Sequence, residues 1–101
     1  VYRIFEGGIL KPIIVEAWGD DEFGKDIIDN FDRIVSIREK AERSLFVSMY
    51  IPNQKRNELI CKFHKVAVNK YNLSTYYVAK MMSLFFPITL DGVIRIIKRN
   101  N

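Results

Sequence analysis

Three groups of side chains in this 101-residue chain have the types and spacing from which chemistry could be built. Cys61 and His64 stand three positions apart, close enough on a helix for a thiol nucleophile and its base. They are the only cysteine and the only histidine, so neither an intrachain disulfide nor a thiolate zinc site can form. Two groups at this spacing more often pack than react, and a lone histidine more often sits at a surface than in a catalytic site. Asp26, Asp29 and Asp32 recur every third residue and could hold a divalent ion. Lys25 and Arg33 adjoin them, which points instead to a solvated, salt-bridged face. Gly7 and Gly8 do not precede a helix and cannot cradle a phosphate. The expectation is therefore a non-enzymatic protein, without cofactor or metal, whose work is binding.

Size and composition agree with such a role. One domain spanning 1–101 is expected at this length, and 49% hydrophobic residues suffice for a core. The single cysteine fits a reducing compartment, and no charged-then-apolar leader opens the chain. The longest apolar run, residues 76–88, carries Lys80 and is too short to span a bilayer. These features predict an intracellular, cytoplasmic protein with no membrane partner. Its charge is uneven: residues 1–43 hold seven Lys/Arg against ten Asp/Glu, and residues 44–101 hold nine against two. A net of −3 thus precedes a net of +7. The basic half could attract a polyanion, or the acidic half could cover it, within one molecule or between two.

The elements that would position these groups read as α+β. Val1 to Phe5 and Ile9 to Trp18 are β-branched and aromatic runs around Glu6-Gly7-Gly8, the pattern of an N-terminal β-hairpin, with Pro12 at a bulge or edge. Asp20 or Asp21 can cap a following helix whose apolar stripe is Phe23, Ile27, Phe31, Ile34, Val35 and Ala41. Leu45 to Ile51 reads as a third strand, ended by Pro52. Asn53 can cap a second helix with Leu59, Ile60, Phe63, Val66, Ala67 and Tyr71 on its apolar face. Asn72 suits a helix end, and Ser74 suits the cap of a third helix, Thr75 to Phe86, apolar on nearly every side. Residues 88–97 read as a terminal hairpin, with a short helix capped by Thr89 as the alternative.

Two segments resemble one another at a spacing of 32 residues. Lys25–Val35 lies over Asn57–Ala67, and Ile14–Trp18 over Phe46–Tyr50, in the same register. Two similar strand–helix units, approximately 9–42 and 43–73, would pack about a pseudo-two-fold axis and leave a groove between them. Shared patterning without duplication would produce the same alignment.

Residues 44–86, with Phe46-Val47-Ser48-Met49-Tyr50-Ile51-Pro52, a helix, Asn72-Leu73-Ser74 and a second helix, resemble a ribbon–helix–helix DNA-binding unit. That resemblance implies a strand laid in the major groove, with Phe46, Ser48 and Tyr50 toward the bases and Ser74 and Thr75 at the phosphates. The chain departs from the pattern in three ways. Its first helix is about five residues too long, more than one turn at 3.6 residues per turn. No Arg, Lys, Asn or Gln stands among the three outward residues. The 43 preceding residues have no counterpart. In composition (rich in Ile, Lys and Tyr, poor in Gln) the chain also resembles small orphan proteins of filamentous viruses of hyperthermophilic archaea, which would imply an accessory role in a host cell.

Two functions follow as expectations. The first is protein–protein interaction, with another protein, a peptide or a second copy in a homodimer, through a groove lined by Trp18, Tyr50, Tyr76 and Tyr77. The alternative is a DNA-binding regulator, with nucleic acid held by the basic C-terminal half through Lys55, Arg56, Lys62 and Lys65, beside Phe46, Ser48, Tyr50, Ser74 and Thr75.

Overall fold

Leu10, Ile13, Ile14 and Trp18 are all fully buried, and their spacing of three and four residues is that of a helix face, not of a strand. The computed structural model, which describes residues 8–100, shows helix α1 over Leu10–Trp18. Pro12 lies in its first turn, where the missing N–H costs no hydrogen bond. The expected N-terminal β-hairpin is thus corrected: its second strand is α1, and its first, residues 1–5, lies outside the described residues. A strand would have put Pro12, Ile14, Glu16 and Trp18 on one side. Burying that set would have buried a charge and wasted Ile13.

Helices α2 (Glu22–Asp29) and α3 (Phe31–Ser36) follow, then α4 (Lys40–Ser48), α5 (Asn53–Tyr71), α6 (Thr75–Phe85) and α7 (Leu90–Arg99). No strand occurs among the described residues, so the α+β assignment gives way to an all-helical fold. Asp21 caps α2 by accepting from the amides of Phe23 and Gly24 at 2.9 and 3.3 Å. Gly24 permits the close docking of α2 on α1: a Cβ there would lie 2.2 Å from the carbonyl oxygen of Trp18. The single long helix expected after Asp21 is broken at Asn30 and ends at Ser36. Ile27, Phe31 and Ile34 of its stripe are buried, whereas Ala41 falls on exposed surface in α4.

The third strand expected at Leu45–Ile51 is also corrected. Arg43, Val47 and Ile51 are buried at intervals of four: the segment is the second half of α4 and then a turn, in which the amide of Ile51 donates to Val47 O at 3.2 Å. A strand facing inward through Val47, Met49 and Ile51 would have buried Met49, which is 75% exposed. The terminal hairpin is likewise a helix. Thr89 Oγ1 accepts from the amide of Gly92 at 3.1 Å, and Val93, Ile96 and Ile97 turn inward. Residues 53–71 and 75–85 match the expected second and third helices closely. Asn72 takes the left-handed conformation (φ 56°) while the Leu73 amide returns to Ala67 O, and Ser74 Oγ accepts from Tyr77.

With no strand among the described residues, the two expected strand–helix units do not form. The order helix, turn, helix still recurs, since Leu10 and Trp18 precede Lys40 and Ser48 by 30 residues each. The second helix of the earlier unit breaks at Asn30, where α5 runs on for 19 residues. Matching positions also differ in fate: Trp18 is core and Tyr50 is half-buried.

Helix α5 packs against α1, α6 and α7, and α6 also packs against α4 and α7. Between them lies an aromatic cluster: the Trp18 ring sits 5.9, 6.0 and 5.8 Å from those of Phe63, Phe85 and Phe86. Trp18 Nε1 donates to Leu59 O at 2.8 Å, which satisfies its one polar atom. Arg43 performs a second long-range service. Its buried guanidinium donates to Leu84 O at 2.7 Å and to Ile37 O at 2.8 Å, carbonyls beside the ends of α6 and α3 that lack helical partners.

Candidate interaction surface

Of the aromatic residues expected to face a partner, Trp18 lies in the core and does not reach the surface. Tyr50 is half-buried, its ring 5.5 Å from that of Phe46. Tyr76 and Tyr77, on the first turn of α6, remain 59% and 38% exposed. They are not alone there. Leu45 (66% exposed), on the outer face of α4, and Met49, which caps that helix, stand four residues apart.

These four side chains lie on the packed pair α4 and α6 or, for Met49, directly after α4. Lys40 Nζ donates to Ile88 O at 3.1 Å and Arg43 to Leu84 O, so residue number falls on α6 as it rises on α4. That antiparallel register carries Leu45 and Met49 toward the start of α6, where Tyr76 and Tyr77 lie. Glu42 and Lys80 are exposed on the same two helices and carry opposite charges. Leu45 and Met49 are missing from the residues the sequence points to, because a strand assignment hides them. The spacing of Arg43, Val47 and Ile51 was the available signal, since a helix burying those three must turn Leu45 and Met49 outward.

The residues proposed to meet nucleic acid have separate fates. Lys55 Nζ lies 2.6 Å from Asp21 Oδ2 and 2.9 Å from Glu58, and Lys62 lies 3.5 Å from Asp21. Lys70 pairs with Glu16. The acidic half of the chain therefore covers part of its own basic half, fastening α1 and α2 to α5. Arg56 Nε and Nη2 both donate to Asn57 Oδ1, and Lys65 is exposed without an ion pair among the described residues. Phe46 lies under the guanidinium of Arg33, 5.1 Å from its ring centre, and Ser48 Oγ donates to Leu45 O. Ser74 caps α6 through Tyr77. The ribbon that would have carried Phe46, Ser48 and Tyr50 to the bases is helix and turn.

Burial opposes ionisation of Asp21, but Lys55 and the amides of Phe23 and Gly24 outweigh it and hold the carboxyl below its ordinary 3.8. The stability this group adds is complete above that ordinary value and is lost as pH falls through the lowered folded value. Urea unfolding of the protein and of Asp21→Asn from pH 6 downward should give a difference that shrinks as Asp21 takes up its proton. A difference constant across that range would refute the assignment.

His64 Nε2 lies 3.0 Å from Thr75 Oγ1, joining α5 to the start of α6. Burial pushes the His64 imidazole down and the Cys61 thiol up. Both shifts favour the neutral forms, the reverse of the thiolate–imidazolium pair that a cysteine nucleophile uses. Asp26, Asp29 and Asp32 are exposed, and no group of three or more possible metal ligands converges among the described residues.

Along the outer face of α5 runs a groove of about 610 Å³, reached at one side by Asn100 after α7. Gln54, Asn57, Glu58, Cys61, Lys62, His64, Lys65, Val68 and Asn69 line the rest. No helix among the described residues is long and apolar enough to cross a membrane. In comparisons with known proteins, no protein-family model, no curated protein and no solved structure matches this chain.

Proposed function

We propose that this protein is a non-enzymatic binding module that engages a protein partner through the α4–α6 face, and that a second copy of the chain is the partner this face fits. The observation that carries the reading is the exposure of Leu45, Met49, Tyr76 and Tyr77 together, while the aromatic cluster around Trp18 is buried. Met and Tyr are side chains that interfaces favour, and grouped exposed apolar residues mark contact sites more reliably than scattered ones. Glu42 and Lys80, both exposed on this pair of helices, supply unlike charges that a two-fold axis can set against each other.

Sedimentation equilibrium across a range of protein concentration tests this. The expected result is a mass that rises from monomer to dimer, with Met49→Glu raising the dissociation constant at least about tenfold. A monomer at every concentration, or a dimer indifferent to both Met49→Glu and Tyr76→Glu, would overturn the proposal.

One observation favours a second reading. Arg95, Lys98 and Arg99 are exposed on α7 and, like Lys65 and Lys80, have no ion pair among the described residues. Contact with nucleic acid along this stripe would weaken steeply with added salt, whereas contact through the α4–α6 face would not.

A further inference from the structure

We infer that the groove along α5 is a second binding site, separate from the α4–α6 face, and that it takes an extended acidic peptide segment. Beside Glu58 and His64, six polar side chains line it: Gln54, Asn57, Lys62, Lys65, Asn69 and Asn100. Two of the four amides have fixed directions. Asn57 Oδ1 accepts from both Nε and Nη2 of Arg56 at 3.1 Å, which leaves its Nδ2 as the group available to a ligand. Asn100 Nδ2 donates to Ile96 O at 2.8 Å, which leaves its Oδ1 available. The groove thus offers a set donor and a set acceptor. A peptide main chain supplies partners for both at every residue, because each unit carries one N–H and one C=O.

Charge selects the side chains of that peptide. Lys62 and Lys65 stand one turn apart; Lys62 is shared with Asp21 at 3.5 Å and Glu58 at 3.9 Å, whereas Lys65 has no ion pair among the described residues and is the cation left for a ligand. Among the described residues Glu58 is the one acidic residue of the lining, and Lys55 holds it at 2.9 Å. The lining therefore favours carboxylates over ammonium groups. Gln54 to Asn69 is about 22 Å at the helical rise of 1.5 Å per residue, room for about six extended residues at roughly 3.3 Å each. Single-stranded nucleic acid would meet the same lysines, but among the described residues no Phe, Tyr or Trp ring lines the groove to stack a base.

The test is fluorescence anisotropy of the full chain with three labelled probes: a ten-residue Glu/Asp-rich peptide, its Gln/Asn counterpart, and a single-stranded oligonucleotide of similar charge. The acidic peptide should saturate, with its amide counterpart at least about tenfold weaker. Lys65→Gln should weaken binding several-fold without loss of fold, since Lys65 is outside the ion-pair network. Asn57→Asp is the sharper variant. It keeps an acceptor for Arg56 but replaces the groove's donor with a negative charge, and it should weaken binding more than Lys65→Gln. Met49→Glu should leave peptide binding unchanged, which separates this site from the α4–α6 face. Absence of saturable binding, preference for the oligonucleotide, or indifference to both Lys65→Gln and Asn57→Asp would each overturn the inference.

Discussion

Replacing Trp18 with alanine is expected to destabilise the protein by about 3–5 kcal/mol, the range for truncating a large buried aromatic. The indole fills the space where α1 meets α5 and the end of α6, within 6.0 Å of three other aromatic rings. Its removal leaves a cavity whose walls belong to three helices, so no one helix can close it by shifting. Trp18→Phe separates the contributions. It keeps most of the ring packing but removes the Nε1–H donated to Leu59 O, and should cost about 1–2 kcal/mol. For a domain of this size each kcal/mol lowers the melting temperature by roughly 4–8 °C, so thermal denaturation resolves the two variants. Melting of Trp18→Ala within a few degrees of the parent would refute the central packing of Trp18 against Phe63, Phe85 and Phe86. The same experiment bears on function: a partner-facing tryptophan could be truncated with little effect on stability.

Arg43→Met is expected to cost a similar amount, about 3–5 kcal/mol, for a different reason. Methionine fills much of the volume but donates nothing. The carbonyls of Leu84 and Ile37, taken by Nε and Nη1 in the parent, would then be part-buried acceptors without that donor. Both carbonyls lie where α6 and α3 run out of intrahelical partners, so those helix ends should loosen before the rest of the protein unfolds. Amide hydrogen exchange provides the check: protection should fall first around residues 34–38 and 84–88. Arg43→Lys should recover only part of the loss, because an ammonium on a flexible stem cannot hold two divergent carbonyls as the planar guanidinium does. Equal stability of the parent and Arg43→Met would refute this role.

Features that depend on residues within a few positions of one another were legible in the sequence. Asp21 and Ser74 cap the helices they precede, Asn72 takes the left-handed turn, and Leu59, Ile60, Phe63 and Ala67 form the buried face of α5. A cap or a helix face needs only its own chain neighbours, which is why these readings transfer to the fold. The candidate site was half legible: Tyr76 and Tyr77 stand out in a helix too apolar to be wholly solvated, whereas Leu45 and Met49 do not.

The remainder was decided by tertiary structure. Ile9–Trp18 and Leu45–Ile51 are short, β-branched and apolar, and over so few residues a period of 2 and a period of 3.6 are nearly indistinguishable. Their intrinsic preference for strand yields to burial, because only as helices do Leu10, Ile13, Ile14 and Trp18 all reach the core. Partners 41 residues away settle the rest: Leu59 O for Trp18 and Leu84 O for Arg43. No local pattern marks Trp18 as core instead of interface, or Arg43 as the arginine among 16 basic residues that is buried to hold helix ends. Charge follows the same division. The sequence establishes that an acidic half precedes a basic one, but only the docking of α1 and α2 on α5 determines that Asp21 and Glu16 occupy Lys55, Lys62 and Lys70 while Lys65 is left to solvent. Spacing along the chain fixes what each helix can bury, and the packing of helices distant in sequence fixes which of the remaining side chains are free to bind.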